Sequence, residues 1–221
     1  MERIFHILAI SGSLRARSTN TQLLHAVAAI AAPAANVVVY DQLGELPHFN
    51  PDLDVEGARL PDAVSDLKAF VDAADAILIS SPEYAHGVPG SLKNALDWLV
   101  SGPEMVGKPA GLLCASGRSL YAHKSLAETL RTMSANLVGN AVDVVPLDGR
   151  RSDVAAIRAD DSARGTIERV VTALILAARS DLQQTHIFFR SSDAQLSSTT
   201  TLVRPALVAS RTSRSPFGET S

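Results

Sequence analysis

Apolar, β-branched runs alternate along this chain with segments of helical spacing. The runs are Ile4–Ile10, Asn36–Tyr40 and Ala76–Ser80, followed by two weaker ones, Ala110–Ala115 and Ala141–Val145. They lack a clean apolar–polar alternation, as strands covered on both faces of a parallel sheet do. Between and after them lie helical stripes: Leu23, Val27, Ile30 and Ala31; Val64, Leu67 and Val71; Leu92, Leu96, Leu99 and Val100; Leu126, Leu130, Met133 and Leu137. A fifth stripe, Ile167, Val170, Val171, Leu174, Ile175 and Ala178, follows the i, i+3, i+4, i+7 pattern most closely and predicts a helix ending near Arg179. Strands alternating with helices require right-handed βαβ crossovers, hence an α/β fold around a parallel sheet.

Composition narrows the function classes. The 221 residues carry a net charge of −3, so the whole chain lacks the positive field that nucleic acid or an anionic membrane would need. The longest nearly apolar stretch, Val170–Ala178, is far short of the roughly 20 residues of a membrane span. A single cysteine, Cys114, excludes an intramolecular disulfide and a cysteine-cluster metal site, and its place inside a strand predicts a buried, unreactive thiol. A soluble, cytoplasmic protein without a metal is expected. Residues 1–179 are expected to form one domain. Residues 180–221, rich in Ser, Thr and Arg and including Ser197-Ser198-Thr199-Thr200-Thr201, are expected to form a largely disordered extension.

In an open α/β sheet ligands collect outside the carboxyl ends of the strands. The first such loop runs from Ser11 to Thr21 and offers hydroxyls, an amide, Arg15, Arg17 and a helix N-terminus, the donors a phosphate requires. It is neither a Gly-x-Gly-x-x-Gly fingerprint nor a Walker loop. Gly102–Lys108 matches Gly-x-x-x-x-Gly-Lys, but Pro109 stands where Ser or Thr is needed and the segment precedes a strand, so it is set aside. The third strand leads into Ser81-Pro82-Glu83-Tyr84-Ala85-His86-Gly87-Val88-Pro89-Gly90, a stiff loop that aims main-chain groups at a ligand edge. His86 reads equally as a substrate contact or a surface histidine. The fourth strand leads into Ser116, Gly117, Arg118 and Ser119. The lone Trp98 is expected in the core or at a subunit contact.

Two motifs carry a family resemblance: Gly12-Ser13-Leu14-Arg15 with Ser18 and Asn20, and the continuous segment from Ser81 through Trp98. With them, the chain over residues 4–179 resembles the NAD(P)H-dependent FMN reductases of the flavodoxin-like fold, a family of FMN, quinone, azo-dye and chromate reductases. The resemblance implies a five-stranded parallel sheet in order 2-1-3-4-5 with FMN at the switch point. By position, Ser13, Arg15, Ser18, Asn20 and Thr21 would hold the FMN phosphate. Pro82, Glu83, Tyr84 and Gly87 would line the isoalloxazine, largely through main-chain groups, and Ser116 and Gly117 would approach its other side. Where the family usually carries two glycines, Arg118, Ser119 and Leu120 follow Gly117; Arg118 would offset charge on reduced flavin or face a NADPH phosphate. The implied activity passes hydride from NADPH or NADH to bound FMN and on to a small acceptor, with the cofactor carrying the chemistry and no side chain named as catalytic. A non-enzymatic FMN carrier of flavodoxin type is the alternative. The resemblance also implies a homodimer or homotetramer.

Overall fold

The computed structural model describes residues 3–117, 120–140, 142–145, 147 and 153–196, with side chains through 181 except at 120. Its centre is a parallel sheet in order β2-β1-β3-β4-β5. The first four strands are β1 (Phe5–Ser11), β2 (Ala35–Tyr40), β3 (Ala76–Ser80) and β4 (Pro109–Cys114). Register pairs Ile10 with Tyr40 on one side and Ile79 on the other, so the carboxyl ends of β1, β2 and β3 finish level. This is the flavodoxin-like order that the family resemblance implies.

Both faces of the sheet are covered, which is why its strands read as continuous apolar runs. On one face α2 (Asp62–Ala73), α3 (Gly90–Leu99) and α4 (Leu120–Thr132) bury Leu67, Leu92 and Leu126 against Leu8, Ile77 and Leu112. On the other, α1 (Thr19–Ala31), α5 (Val154–Ala159) and α6 (Asp161–Leu196) bury Leu23, Ile157 and Leu174 against Ile7, Leu78 and Leu113. Trp98 is fully buried in the first of these cores. Cys114 is buried at the end of β4, with its thiol donating to the Ser116 carbonyl at 2.6 Å.

Three features differ from the sequence expectation. The fifth place in the sheet is filled by two short pieces, β5 (Asn136–Leu137) and β6 (Asp143–Val144), both parallel to β4, rather than by one strand over Ala141–Val145. Between them Gly139 takes φ +67° and the Asn140 amide donates to Asp143 at 3.2 Å, which turns the chain away from the sheet. Leu137, placed by spacing on the fourth helical stripe, belongs to β5. The helix stops earlier because Ser134 is left-handed (φ +60°) and the Ala135 N–H reaches back to the Leu130 carbonyl, a Schellman-type ending. Finally, α6 continues to Leu196, well past Arg179. The apolar spacing read from the sequence stops at Ala178, but no Gly or Pro follows before Pro205 to mark a helix end. The rest of the expected extension lies outside the described residues.

Lys108, the lysine of the discarded Gly-Lys motif, has a structural task. Its ammonium donates to the Val71 and Ala74 carbonyls at 2.8 and 2.6 Å and so closes the carboxyl end of α2. Burial pushes its pKa down, against the opposing pull of Asp72 and Asp75.

Tyr40, 3% exposed, packs edge-on against Phe70 with ring centroids 5.5 Å apart. Burial, with Asp66, Glu45 and Asp41 nearby, pushes its pKa up to about 12. Above the ordinary tyrosine value the unfolded chain loses this proton while the native state keeps it. Stability is therefore expected to fall by something on the order of 2 kcal/mol as the pH rises from about 10 to about 12. The hydroxyl has no hydrogen-bond partner among the described residues. Tyr40→Phe should thus remove this part of the alkaline loss without cost at neutral pH, which urea unfolding at about pH 8 and about pH 11 would measure.

Candidate functional site

The site is built from the loops that leave β1, β3 and β4 at one edge of the sheet. The first loop is clamped to the sheet by the Gly12 N–H, which donates to the Ser80 carbonyl at 2.9 Å. Gly12 has no room for a side chain: a Cβ would stand 2.5 Å from the Ser81 hydroxyl oxygen and 3.0 Å from Leu92. Ser18 is the N-cap of α1, and its hydroxyl oxygen accepts from the Thr21 N–H at 3.4 Å. No acidic residue occupies the first turn of α1 itself; Asp41 and Glu45, from the chain after β2, line the far side of the adjoining cavity.

The internal bonds of this loop leave donors over, and an anion needs donors. The Ser13 hydroxyl oxygen accepts from the Arg15 N–H at 3.3 Å, so its own O–H remains to donate, and the same holds for Ser18. The Asn20 carbonyl oxygen accepts from the Ser80 hydroxyl at 2.9 Å, which leaves the Asn20 NH2 group as a donor. Thr21 and Ser11 share one hydrogen bond at 2.8 Å between two hydroxyls, so one O–H of the pair remains. Arg15 is exposed beside them. Beside the loop, a cavity of about 460 Å³ is lined by Ser11, Ser13, Arg15, Thr21, Tyr40 and Asp41, among others. This donor set fits a phosphate group.

The second loop is rigid. Tyr84 and Gly87 exchange two backbone hydrogen bonds, 3.1 and 2.9 Å, across a two-residue turn in which Ala85 and His86 both have positive φ, +49° and +62°. These angles are those of a type I′ turn, which glycine or asparagine fills most easily. Two ordinary L-residues there hold local strain, which clusters at functional sites. Ala85→Gly should raise stability by about 0.5–1 kcal/mol, the relief of left-handed strain exceeding the entropy that glycine adds to the unfolded chain, and thermal unfolding would show it. Pro82 and Gly87 are half-buried and Tyr84 is exposed, with its ring at the surface. The Glu83 carboxylate turns inward, with its side chain 12% exposed. His86 is the opposite, with its side chain 72% exposed and its ring edge-on to Tyr121, centroids 4.4 Å apart.

In the third loop Ser116 is half-buried, Gly117 is exposed, and no atom of the described residues lies within 4 Å of where a Cβ on Gly117 would stand. Arg118 and Ser119 lie outside the described residues. Thus Ser13, Arg15, Ser18, Asn20 and Thr21 gather at the start of α1, and Pro82, Glu83, Tyr84 and Gly87 form a separate turn after β3. Ser116 and Gly117 lie in the loop that leaves β4. Ser80, buried at the end of β3 and outside the set of site residues expected from the sequence, ties that strand to the start of α1 through Asn20, while Ser11 and Ser81, also buried, bond within their own loops. A buried serine closing an apolar strand is the signal that marks them. Among the described residues no cluster of His, Cys, Asp and Glu is placed to hold a metal, and no helix is long and apolar enough to cross a membrane.

The sequence matches the family model for NADPH-dependent FMN reductase over residues 5–146. It is 34% identical over 178 residues to an NAD(P)H-dependent FMN reductase of Pseudomonas aeruginosa, an alignment covering 78% of this chain and 95% of that protein. It is 36% identical over 117 residues to an NADPH:quinone oxidoreductase of Arabidopsis thaliana, covering 52% of this chain and 59% of that protein. In fold it is similar to the flavoenzyme NAD(P)H:(acceptor) oxidoreductase FerB of Paracoccus denitrificans, with a TM-score of 0.67 and 24% identity, covering 79% of this chain and 99% of that one. The chain therefore belongs to the NADPH-dependent FMN reductase family: it is a flavodoxin-like, NAD(P)H-driven flavin oxidoreductase.

Proposed function

We propose that FMN lies across the carboxyl edge of β1, β3 and β4, with its phosphate at the start of α1, and that a small quinone is among the acceptors. The observation that carries this reading is the set of donors left over in the first loop. The hydroxyls of Ser13 and Ser18, the Asn20 amide, the Ser11–Thr21 pair and Arg15 gather at the start of α1, whose first turn carries no acidic residue. The backbone of Pro82, Glu83, Tyr84 and Gly87 lines one edge of the ring system, and Ser116 and Gly117 approach the other. FMN, when bound, supplies the hydride-accepting and electron-donating chemistry.

The protein's part is position and electrostatics. NAD(P)H gives up a hydride, two electrons and one proton, and leaves as NAD(P)+. The acceptor then occupies the same open place. A quinone takes up two electrons and two protons, the second proton coming from solvent. No acid or base side chain is assigned. Free FMN, azo compounds and chromate-like oxidants suit the same open face, as does either nicotinamide. A homodimer or homotetramer, a cytoplasmic location and a separate role for residues 180–221 belong to the same reading.

The flavodoxin-type carrier is the weaker reading. Relatives above 30% identity are named as reductases, whereas the likeness to an archaeal flavodoxin is one of fold at 14% identity. Steady-state oxidation of NAD(P)H with a small quinone and no protein partner tests the choice. Turnover is expected; reduction of the quinone only after a partner protein is added would favour the carrier.

A further inference from the structure

The Glu83 carboxylate belongs to one loop but bonds to the next. One oxygen accepts the Ala122 backbone N–H at 2.9 Å. The helix α4 begins at Leu120, so Ala122 is its third residue, and its N–H is one of those for which an α-helix has no partner of its own. A capping side chain normally satisfies this donor from the residue just before the helix. Here the acceptor comes from 39 residues away, across β4. The other carboxylate oxygen lies 3.6 Å from the His86 ring nitrogen Nδ1, and the His86 ring in turn rests on Tyr121. Glu83, His86, Tyr121 and Ala122 therefore form a strap between the turn after β3 and the first turn of α4.

We propose that Glu83 is a positioning residue that fixes the separation of the two loops flanking the flavin, and that it does so by accepting the Ala122 N–H rather than by touching the cofactor with its side chain. This rests on the placement of the flavin between those loops. A carboxylate with little exposure, held by a helix N–H, is a charge-assisted bond in a setting where water competes poorly. The turn at Ala85 and His86 is closed by its own two backbone hydrogen bonds, so the strap acts on the turn's place relative to α4 and not on its shape. In the loop after β4, no atom of the described residues lies within 4 Å of where a Cβ on Gly117 would stand.

The test compares Glu83→Ala, Glu83→Gln and Glu83→Asp with the native protein in two measurements. The first is hydrogen exchange of the Ala122 amide in flavin-free protein, and the second is FMN affinity by quenching of its fluorescence. Glu83→Ala is expected to lose protection at Ala122 and to bind FMN at least about ten-fold more weakly. Glu83→Gln keeps a carbonyl oxygen for the same bond and should remain within about three-fold of native. Glu83→Asp, one methylene too short, should resemble alanine, and it decides the matter if the alanine variant does not fold. Native-like FMN affinity in the alanine variant, or in the aspartate variant where alanine does not fold, would overturn the proposal. So would a glutamine variant as weak as alanine, since charge rather than the bond would then matter. Failure of the native protein to take up FMN would instead overturn the placement of the flavin, a separate result.

Discussion

Gly12→Val is expected to weaken FMN binding by an order of magnitude or more and to lower Tm by roughly 3–10 °C. The cause is space. A Cβ on Gly12 would stand 2.5 Å from the Ser81 hydroxyl oxygen and 3.0 Å from both the Ser81 Cβ and Leu92, and the two branches of valine add to that crowding. Ser81 is 2% exposed and Leu92 is fully buried, so neither has solvent to move into. The Gly12 N–H is bonded to Ser80, which prevents the first loop from lifting away without losing a buried hydrogen bond. Overpacking of this kind costs about 1–3 kcal/mol. The strain falls where the first loop meets the loop after β3, and with the proposed placement of the FMN phosphate, flavin affinity should fall along with stability. Gly12→Ala should do less, because the Ser81 hydroxyl can rotate at the expense of its bond to the Pro82 carbonyl. Adding Ser81→Ala to Gly12→Ala should restore part of the loss, a coupling that a double-mutant cycle would read.

Trp98→Ala is expected to cost about 3–5 kcal/mol and to lower Tm by roughly 10 °C. Trp98 is fully buried within this single chain, which settles its place as core. Its ring meets Phe49 edge-on at 5.1 Å, and its indole N–H donates to the Pro47 carbonyl at 2.8 Å. Asn94, one turn earlier on α3, donates to the same carbonyl at 2.9 Å and accepts the Phe49 N–H at 2.7 Å. Together these residues tie the long connection after β2 to α3. Removing the indole opens a large cavity and frees that connection at once. Trp98→Phe retains most of the burial but leaves half of the Pro47 arrangement unmade, so about 1–2 kcal/mol is expected. Urea unfolding of the three proteins would order them native, phenylalanine, alanine.

The same α3 segment shows what could be read from the sequence. Ser81 through Trp98 is one continuous motif because a turn, a helix start and a core anchor follow each other without a gap, so local patterning carries all three. Strands β1, β3 and β4 were legible for a similar reason: buried on both faces, they must be apolar throughout. The donors Ser13, Arg15, Ser18, Asn20 and Thr21 were legible because polar residues crowd between a strand and a helix start. The fifth strand was not, since pieces of two residues hold too little pattern to place, and Leu137 imitated a helical position. The length of α6 escaped because the regular apolar spacing stops at Ala178 while no Gly or Pro marks a helix end before Pro205. The short helix α5, with one fully buried residue, Ile157, offered no periodicity to find. The Glu83–Ala122 bond has no local signature at all, joining residues that only the sheet order brings together.

Anaerobic mixing of the FMN-loaded protein with NADPH and, separately, NADH tests the central claim most directly. Loss of the visible absorbance of oxidised flavin is expected with at least one of the two nicotinamides, followed by its return when a small quinone is added. Flavin that stays oxidised with both nicotinamides would contradict the account.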